Sequence, residues 1–356
     1  VTGIPTLATV QAAASNVAHR WLFGSLADFR PMPRSLIDEG PNRSVFEYHS
    51  PAGTSGNPTL LVPPLAVPAN CFDLRRGCSV VERLVRDGRP TYLVDYGEIA
   101  FADRELGLEH WVDDVLPNAI TSVSERNDGK PVHLIGWCLG GILSLLTAAE
   151  LGAARIASIT VVASPFDFTK VPLLAPLRPV LNATGGHAFS PLYKVFGGVP
   201  APLVRTAFRI SALDKHLTKP ISLVRNVANS DALAQFEAVE RFTANMVAYP
   251  GRAIAQLYHR AFRSNSLADG TITLGGRTVD LARVKSPTLA IGGTDDTLAP
   301  PEAVRHVLRL LPEAPVTRFA TAPGGHLGVL TGRAARTTTW PLIQAFQSEQ
   351  DTVCWS

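Results

Sequence analysis

The chain has 356 residues, a net charge of +3, 46% hydrophobic residues and 18% charged ones. This is a globular composition, long enough to bury a large core and too apolar for disorder. No basic block is present, so nucleic-acid binding has no electrostatic support. Four cysteines, Cys71, Cys78, Cys138 and Cys354, are too few and too scattered for a disulfide framework, and no Cys/His cluster suggests a metal. A reducing interior suits a working thiol. No Lys or Arg precedes Arg20, so the basic region of a signal peptide is missing. No apolar run reaches the roughly 18 residues of a membrane span. The expectation is a cytoplasmic protein without a transmembrane segment.

Residues 1–57 read as an N-terminal extension packed on the core. Leu7, Val10, Ala14, Val17, Trp21 and Leu22 fall near one helical face, which is expected to lie on the body. Ser44 to Ser50 alternates like an edge strand. A βα alternation begins at Thr59. Thr59 to Val62 is a buried strand, and Leu65 to Phe72 the loop after it. Ser79 to Asp87 is a helix ending at Gly88. Thr91 to Asp95 is a strand, Leu106 to Glu125 a helix, and Pro131 to Ile135 and Ile156 to Ala163 are strands. Strands separated by helices imply a mostly parallel, doubly wound α/β sheet.

The alternation breaks at Ser164. Residues 165–285 hold scattered prolines and helical patterns (Asp231 to Glu240, Ala253 to Phe262). They also hold one apparent hairpin, Thr271 to Val279. The segment reads as a cap inserted into a core made of residues 58–164 and 286–356. Strands resume at Pro287–Gly293 and Val316–Thr321, with a helix, Glu302 to Leu311, between them.

The chemistry gathers around Pro131-Val-His-Leu-Ile-Gly-Trp-Cys-Leu-Gly-Gly141. A β-branched run, a Gly-x-Cys-x-Gly turn and a small-residue helix form the nucleophile elbow of the α/β-hydrolase fold, with Cys138 where serine usually stands. Side chains at Gly136 or Gly140 would collide with the neighbouring helix or strand. Cys138 also lies at a helix N-terminus, which favours a thiolate.

An acid follows one late strand and a histidine the next. The order Cys138, Asp296, His326 is the α/β-hydrolase order. Asp295 rivals Asp296, which stands four residues before the loop proline, Pro300. Of nine histidines only His326 sits in a Gly-rich loop after the last strand. His133 reads as a satisfied core residue, and His259 and His306 as surface or packing. Cys138 would be the nucleophile, His326 the base and Asp296 its orienter. Two backbone N–H groups would form the oxyanion hole. One comes from Leu139 and the other from Leu65, Ala66 or Val67, with Ala66 preferred, since Pro63, Pro64 and Pro68 have no N–H.

These residues resemble the polyhydroxyalkanoate synthases, especially the short catalytic subunit that works with a second subunit. The likeness rests on Phe72-Asp-Leu74, Tyr92-Leu-Val-Asp-Tyr-Gly97, Gly136-Trp-Cys-Leu-Gly-Gly141, Tyr249-Pro-Gly251, Asn265-Ser-Leu267, Gly275 to Leu281, Asp296 to Pro300 and Pro323-Gly-Gly-His-Leu-Gly328. It covers roughly residues 58–335. It implies an α/β-hydrolase core with a cap, a Cys–His–Asp triad, and a hydroxyacyl-CoA thioester as substrate rather than any bound cofactor. The growing chain's hydroxyl would attack the next acyl thioester. The implied partners are a second copy or a second synthase subunit, and a polyester or lipid granule surface. The chain departs from the family at Thr297, at Pro301, at Phe242-Thr-Ala-Asn245 and at Ala66-Val-Pro-Ala69. Three readings follow: an acyltransferase of the synthase type, a cysteine hydrolase (lipase, depolymerase or thioesterase), and a catalytically silent granule-binding protein.

Overall fold

The computed structural model describes residues 6–51, 53–172, 198–199, 201–211 and 226–352. Parts of the 165–285 insertion, and Cys354, lie outside the described residues. One eight-stranded sheet organises the rest. Its strands are β1 (Arg34–Gly40), β2 (Arg43–Tyr48), β3 (Thr59–Val62), β4 (Thr91–Asp95), β5 (Val132–Trp137), β6 (Ile156–Val162), β7 (Thr288–Gly293) and β8 (Thr317–Ala322). Their order across the sheet is β1-β2-β4-β3-β5-β6-β7-β8. β4 to β8 and β3 are mutually parallel, while β1 and β2 are antiparallel additions at one edge.

Burial explains this placement. β3, β5, β6 and β7 are buried at every position, as expected for strands covered on both faces. β8 ends the row and is half-buried. The strand read at Ser44–Ser50 is β2, but it is not the edge. The edge is β1, whose charged, largely exposed sequence has no apolar alternation to announce it. Gly40 and Arg43 close the β1–β2 hairpin, with Asn42 at φ 50° in the turn.

Helices fill both faces. Among them are α1 (Leu7–Phe23), α2 (Val80–Arg86), α3 (Leu116–Arg126), α4 (Leu139–Leu151), α5 (Ser230–Ala244), α6 (Pro301–Arg305) and α7 (Thr339–Asp351). Ser79 caps α2 by accepting from the Glu82 N–H. The stretch read as one helix from Leu106 is in fact segmented. A wider π turn at Trp111–Val115 precedes α3, whose second residue is Pro117. α4 is buried along almost its whole length, so it carries no polar face for solvent. None of the helices among the described residues is long and apolar enough to cross a membrane.

The expected seating of α1 is overturned. Leu7, Val10, Ala14, Val17, Trp21 and Leu22 are all exposed, whereas Asn16 is buried and Ala12 and Ala13 are half-buried. Asn16 donates to the Val227 carbonyl at 2.8 Å, and Arg20 pairs with Glu237 at 3.4 Å. Periodicity identifies an apolar face but not the surface that covers it.

Between β6 and β7 the chain leaves the sheet. The hairpin Thr271–Leu274/Arg277–Asp280 does not lie over the strand ends. It packs on the flank of α4, where Arg277 bridges Glu150 and Asp113. α5 lies nearer the elbow, with Phe242 6.2 Å from Trp137, ring centroid to ring centroid.

The C-terminal helix is tied to the opposite end of the sheet. His133 in β5 is a satisfied core histidine. Its Nδ1 meets Ser158 Oγ at 2.7 Å and its Nε2 meets Asp351 Oδ1 at 2.9 Å. Arg89 reaches the other Asp351 oxygen at 2.9 Å. Burial works against ionisation of Asp351, but His133, Arg89 and the Asn57 N–H outweigh it and hold the carboxyl at about 2. A carboxyl depressed in the folded state stabilises above its unfolded pKa of 3.8 and loses that contribution as pH falls through about 2. Asp351→Asn is therefore expected to lower the unfolding free energy by about 2 kcal/mol at pH 7. Denaturant melts of both proteins should differ most at neutral pH, with the gap closing as the pH falls from about 4 towards 2.

Candidate active site

Cys138 joins β5 to α4 in a conformation, φ 54° and ψ −123°, that non-glycine residues rarely adopt. Its N–H donates to the Val162 carbonyl at the end of β6, at 2.9 Å. The flanking glycines make this turn feasible. A Cβ at Gly136 would run into the backbone of Gly140 and Gly141, and one at Gly140 into the carbonyls of Val62, at the end of β3, and Pro63, just after it. A Cβ at Gly141 would strike Ser164 Oγ. The sulfur is partly accessible, whereas Cys71 and Cys78 are buried.

Asp296 is buried in the turn after β7. Its Oδ1 accepts from the Leu298 and Ala299 N–H groups, each at 2.9 Å. Its Oδ2 meets His326 Nδ1 at 2.8 Å. Asp295 is exposed, and its carboxylate accepts from the adjacent Thr294 hydroxyl at 3.4 Å, so the rival acid faces solvent. Burial acts to raise the Asp296 carboxyl, yet His326 and the two N–H donors hold it below its ordinary range.

His326 lies close enough to Cys138 for the sulfur to act on its charge, with only 10% of its side chain exposed. Burial opposes the imidazolium. The sulfur of Cys138 and then the Asp296 carboxylate more than compensate, and the ring is pushed up to about 10. The structure thus brings Cys138, His326 and Asp296 together: His326 is hydrogen-bonded to Asp296, and the Cys138 sulfur acts on its ring charge, although 158 residues separate Cys138 from Asp296.

Leu139 is the first residue of α4, so its N–H has no intrahelical acceptor. Ala66 lies in the loop after β3 at φ 64°, a left-handed conformation. Its carbonyl accepts from the Val247 N–H at 3.2 Å, which ties this loop to the insertion. Among the described residues, no acceptor is recorded for the N–H groups of Leu65, Ala66 or Val67.

Two residues that sequence reasoning passed over complete the surroundings. Trp137 donates its indole N–H to the His326 carbonyl at 3.0 Å, and its ring lies 5.3 Å from the imidazole. It therefore fixes the histidine loop against the elbow. A buried tryptophan needs an acceptor for its N–H, and that was the available signal. Tyr249, from the insertion, is partly buried against the core. Burial, reinforced by the Cys138 sulfur, pushes its hydroxyl well above the ordinary tyrosine range. Among the described residues, no His/Cys/Asp/Glu group could hold a metal ion.

The parallel sheet and the strained cysteine turn before a buried acid–histidine pair define an α/β-hydrolase architecture. A family model described as alpha/beta hydrolase fold matches residues 69–333, and the chain belongs to that family. Among its relatives is the poly(3-hydroxyalkanoate) polymerase subunit PhaC of Haloferax mediterranei, 27% identical over 323 residues, covering 89% of this chain. This chain spans 64% of that relative's length. The PhaC subunit of Allochromatium vinosum is 26% identical, and 89% of each chain is covered. These relatives bear out the resemblance to polyhydroxyalkanoate synthases. A solved carboxyl esterase from Bacillus coagulans shares the fold, with TM-score 0.56, 14% identity, and coverage of 91% of this chain and 99% of its own.

The electrostatics make a testable statement about Asp296. Replacing it with Asn removes an anion that favours the imidazolium, so the His326 midpoint should fall from about 10 by roughly one to three pH units. A ¹⁵N imidazole NMR titration of wild type and Asp296→Asn reads this directly. An unmoved midpoint would show that Asp296 does not govern the charge on His326.

Proposed function

We propose that the chain is an acyltransferase of the polyhydroxyalkanoate synthase type, which moves 3-hydroxyacyl groups from a CoA thioester through Cys138 to a hydroxyl. The observation that carries this reading is the row Cys138–His326–Asp296 at the elbow of a chain similar to polymerase subunits. Residues 165–285 would serve as a cap over the acyl chain, and the setting would be cytoplasmic, at a granule surface. No cofactor enters the reaction.

The Cys138 sulfur attacks the thioester carbonyl, and the carbonyl oxygen becomes an oxyanion within reach of the Leu139 and Ala66 N–H groups. Collapse breaks the bond to the CoA sulfur, which leaves as the thiol with the proton from His326. Neutral His326 then takes the proton of the acceptor hydroxyl. That oxygen attacks the acyl-Cys138 thioester, an ester forms, and the Cys138 sulfur is expelled beside the regenerated imidazolium. Asp296 holds Nδ1 throughout and so keeps Nε2 on the reacting side.

Cysteine suits this exchange. Two thioesters are close in energy, so loading from CoA is nearly balanced, while transfer to a hydroxyl is downhill. The test is CoA release from 3-hydroxybutyryl-CoA by wild type and Cys138→Ala, with the acyl product identified. The expected result is release that depends on Cys138 and yields linked hydroxyacids. Free acid as the sole product would assign the chain to hydrolysis. Full turnover by Cys138→Ala would remove Cys138 as nucleophile.

A further inference from the structure

A cavity of about 550 Å³ lies apart from Cys138, His326 and Asp296. One wall is the segment after β6, with Asp167 and Lys170. The other is α6 and the turn that follows it, with Glu302, Arg305, His306, Leu308 and Arg309. The Phe166 N–H donates to the Ala303 carbonyl at 2.9 Å and joins the two walls. The polar groups are of two kinds. Asp167 is buried and engaged: it accepts from the Thr169 N–H at 2.9 Å, the Thr169 hydroxyl at 2.6 Å and the Asn265 amide at 3.1 Å. His306 donates to the Ala268 carbonyl at 2.8 Å. Lys170, Arg305 and Arg309 are exposed, and among the described residues their side chains make no hydrogen bond or ion pair. Glu302 is exposed and unpaired in the same sense.

We propose that this cavity holds the phosphorylated adenosine end of the CoA thioester, with Lys170, Arg305 and Arg309 on its phosphates. The assignment rests on the acyltransferase reading and adds the place where the donor is gripped. Three observations favour it. First, three cations without partners line one concave surface and repel one another, which a polyanion relieves. Two of them are guanidinium groups, whose planar fork matches phosphate oxygens. Second, the lining suits a nucleotide better than a simple anion. Glu302 would repel a lone phosphate, but it can accept from a ribose hydroxyl or a base amine. Leu308 gives the base an apolar contact, and the volume falls within the roughly 300–1,000 Å³ of small-molecule sites. Third, the position fits. Both walls follow the carboxyl ends of parallel strands, where ligands of open α/β sheets bind. The Cys138 N–H is bonded to Val162, and Asp167 lies five residues beyond Val162. That is at most about 18 Å of chain, a gap that the long pantetheine arm of CoA spans. α6 also continues from the turn that buries Asp296, so connected elements would place both ends of the donor.

The experiment is isothermal titration calorimetry of the full chain with free CoA, comparing wild type, the double variant Arg305→Gln/Arg309→Gln, and Arg86→Gln. Arg86 is exposed on α2 and does not line the cavity, so its variant loses surface charge elsewhere. Wild type and Arg86→Gln should bind CoA alike. The double variant should bind it at least about 10-fold more weakly, through the loss of charged hydrogen bonds. Its thermal midpoint should be unchanged, because both side chains are exposed. Adenosine 3′,5′-bisphosphate should displace CoA from wild type, and inorganic phosphate at the same concentration should not. A wild type that binds no CoA, or equal affinity in wild type and the double variant, would overturn the proposal. So would displacement of CoA by inorganic phosphate alone, which would assign the cavity to a simple anion. Binding of ATP but not CoA, lost in the double variant, would also overturn it and assign the cavity to a free nucleotide. The acyltransferase reading fails separately. CoA binding that the double variant weakens, in a chain that releases no CoA from 3-hydroxybutyryl-CoA, would remove that reading and keep the cavity's ligand. Turnover with a KM unmoved in the double variant would do the reverse.

Discussion

The close approach of α4 to β3 and β5 is the constraint on which the site depends. Cys138 occupies a backbone conformation of the kind that costs about 1–3 kcal/mol. It is held there because β3, β5 and β6 are fully buried and because helix and strands meet across glycines. Any side chain at Gly136, Gly140 or Gly141 would push the helix away and relax the turn. The same approach sets the electrostatics. It leaves the first N–H groups of α4 uncapped beside the sulfur, where they have no competing acceptor within the helix.

The charges around Cys138 are arranged so that each one covers another. Asp296 is buried and has three partners, two backbone N–H groups and His326. A carboxylate so satisfied holds its charge in spite of burial. His326 in turn is influenced by the Cys138 sulfur and the Asp296 carboxylate, which outweigh the desolvation of its ring. Trp137 adds the mechanical part by holding the histidine loop through its carbonyl. The elbow residue before the nucleophile therefore also places the base, and the two ends of the site are coupled without passing through Asp296.

Much of this was legible in the sequence, and the exceptions have physical causes. The buried strands β3 and β4 begin and end where their apolar runs do, because strands covered on both faces carry continuous hydrophobic sequence. The elbow, the acid turn and the histidine loop were legible because strain and close approach demand particular residue types at fixed spacings. β1 was not, since an exposed edge strand needs no alternation. Nor was α7, whose link from Asp351 to His133 spans 218 residues. The seating of α1 was inverted, because periodicity gives a face but not its partner. The reach of Val247 to Ala66 was also invisible, since it is a backbone contact between segments with no shared motif.

What separates transfer to a hydroxyl from transfer to water on this scaffold is not the row of three residues, which serves both. It is what stands above the sulfur. Near the elbow Trp137 packs beside Phe242 of the insertion, and Tyr249 and Cys138 both lie against the apolar core. An acyl thioester beneath such a surface meets few waters, and an acceptor that arrives with its own apolar chain displaces those that remain. Two of the four places at which the chain departs from the synthase pattern lie here: Phe242 to Asn245, whose Phe242 is beside Trp137, and the loop at Ala66 to Ala69, which is bonded to Val247. On the acyltransferase reading, the insertion would set the acceptor preference and the elbow the reaction type.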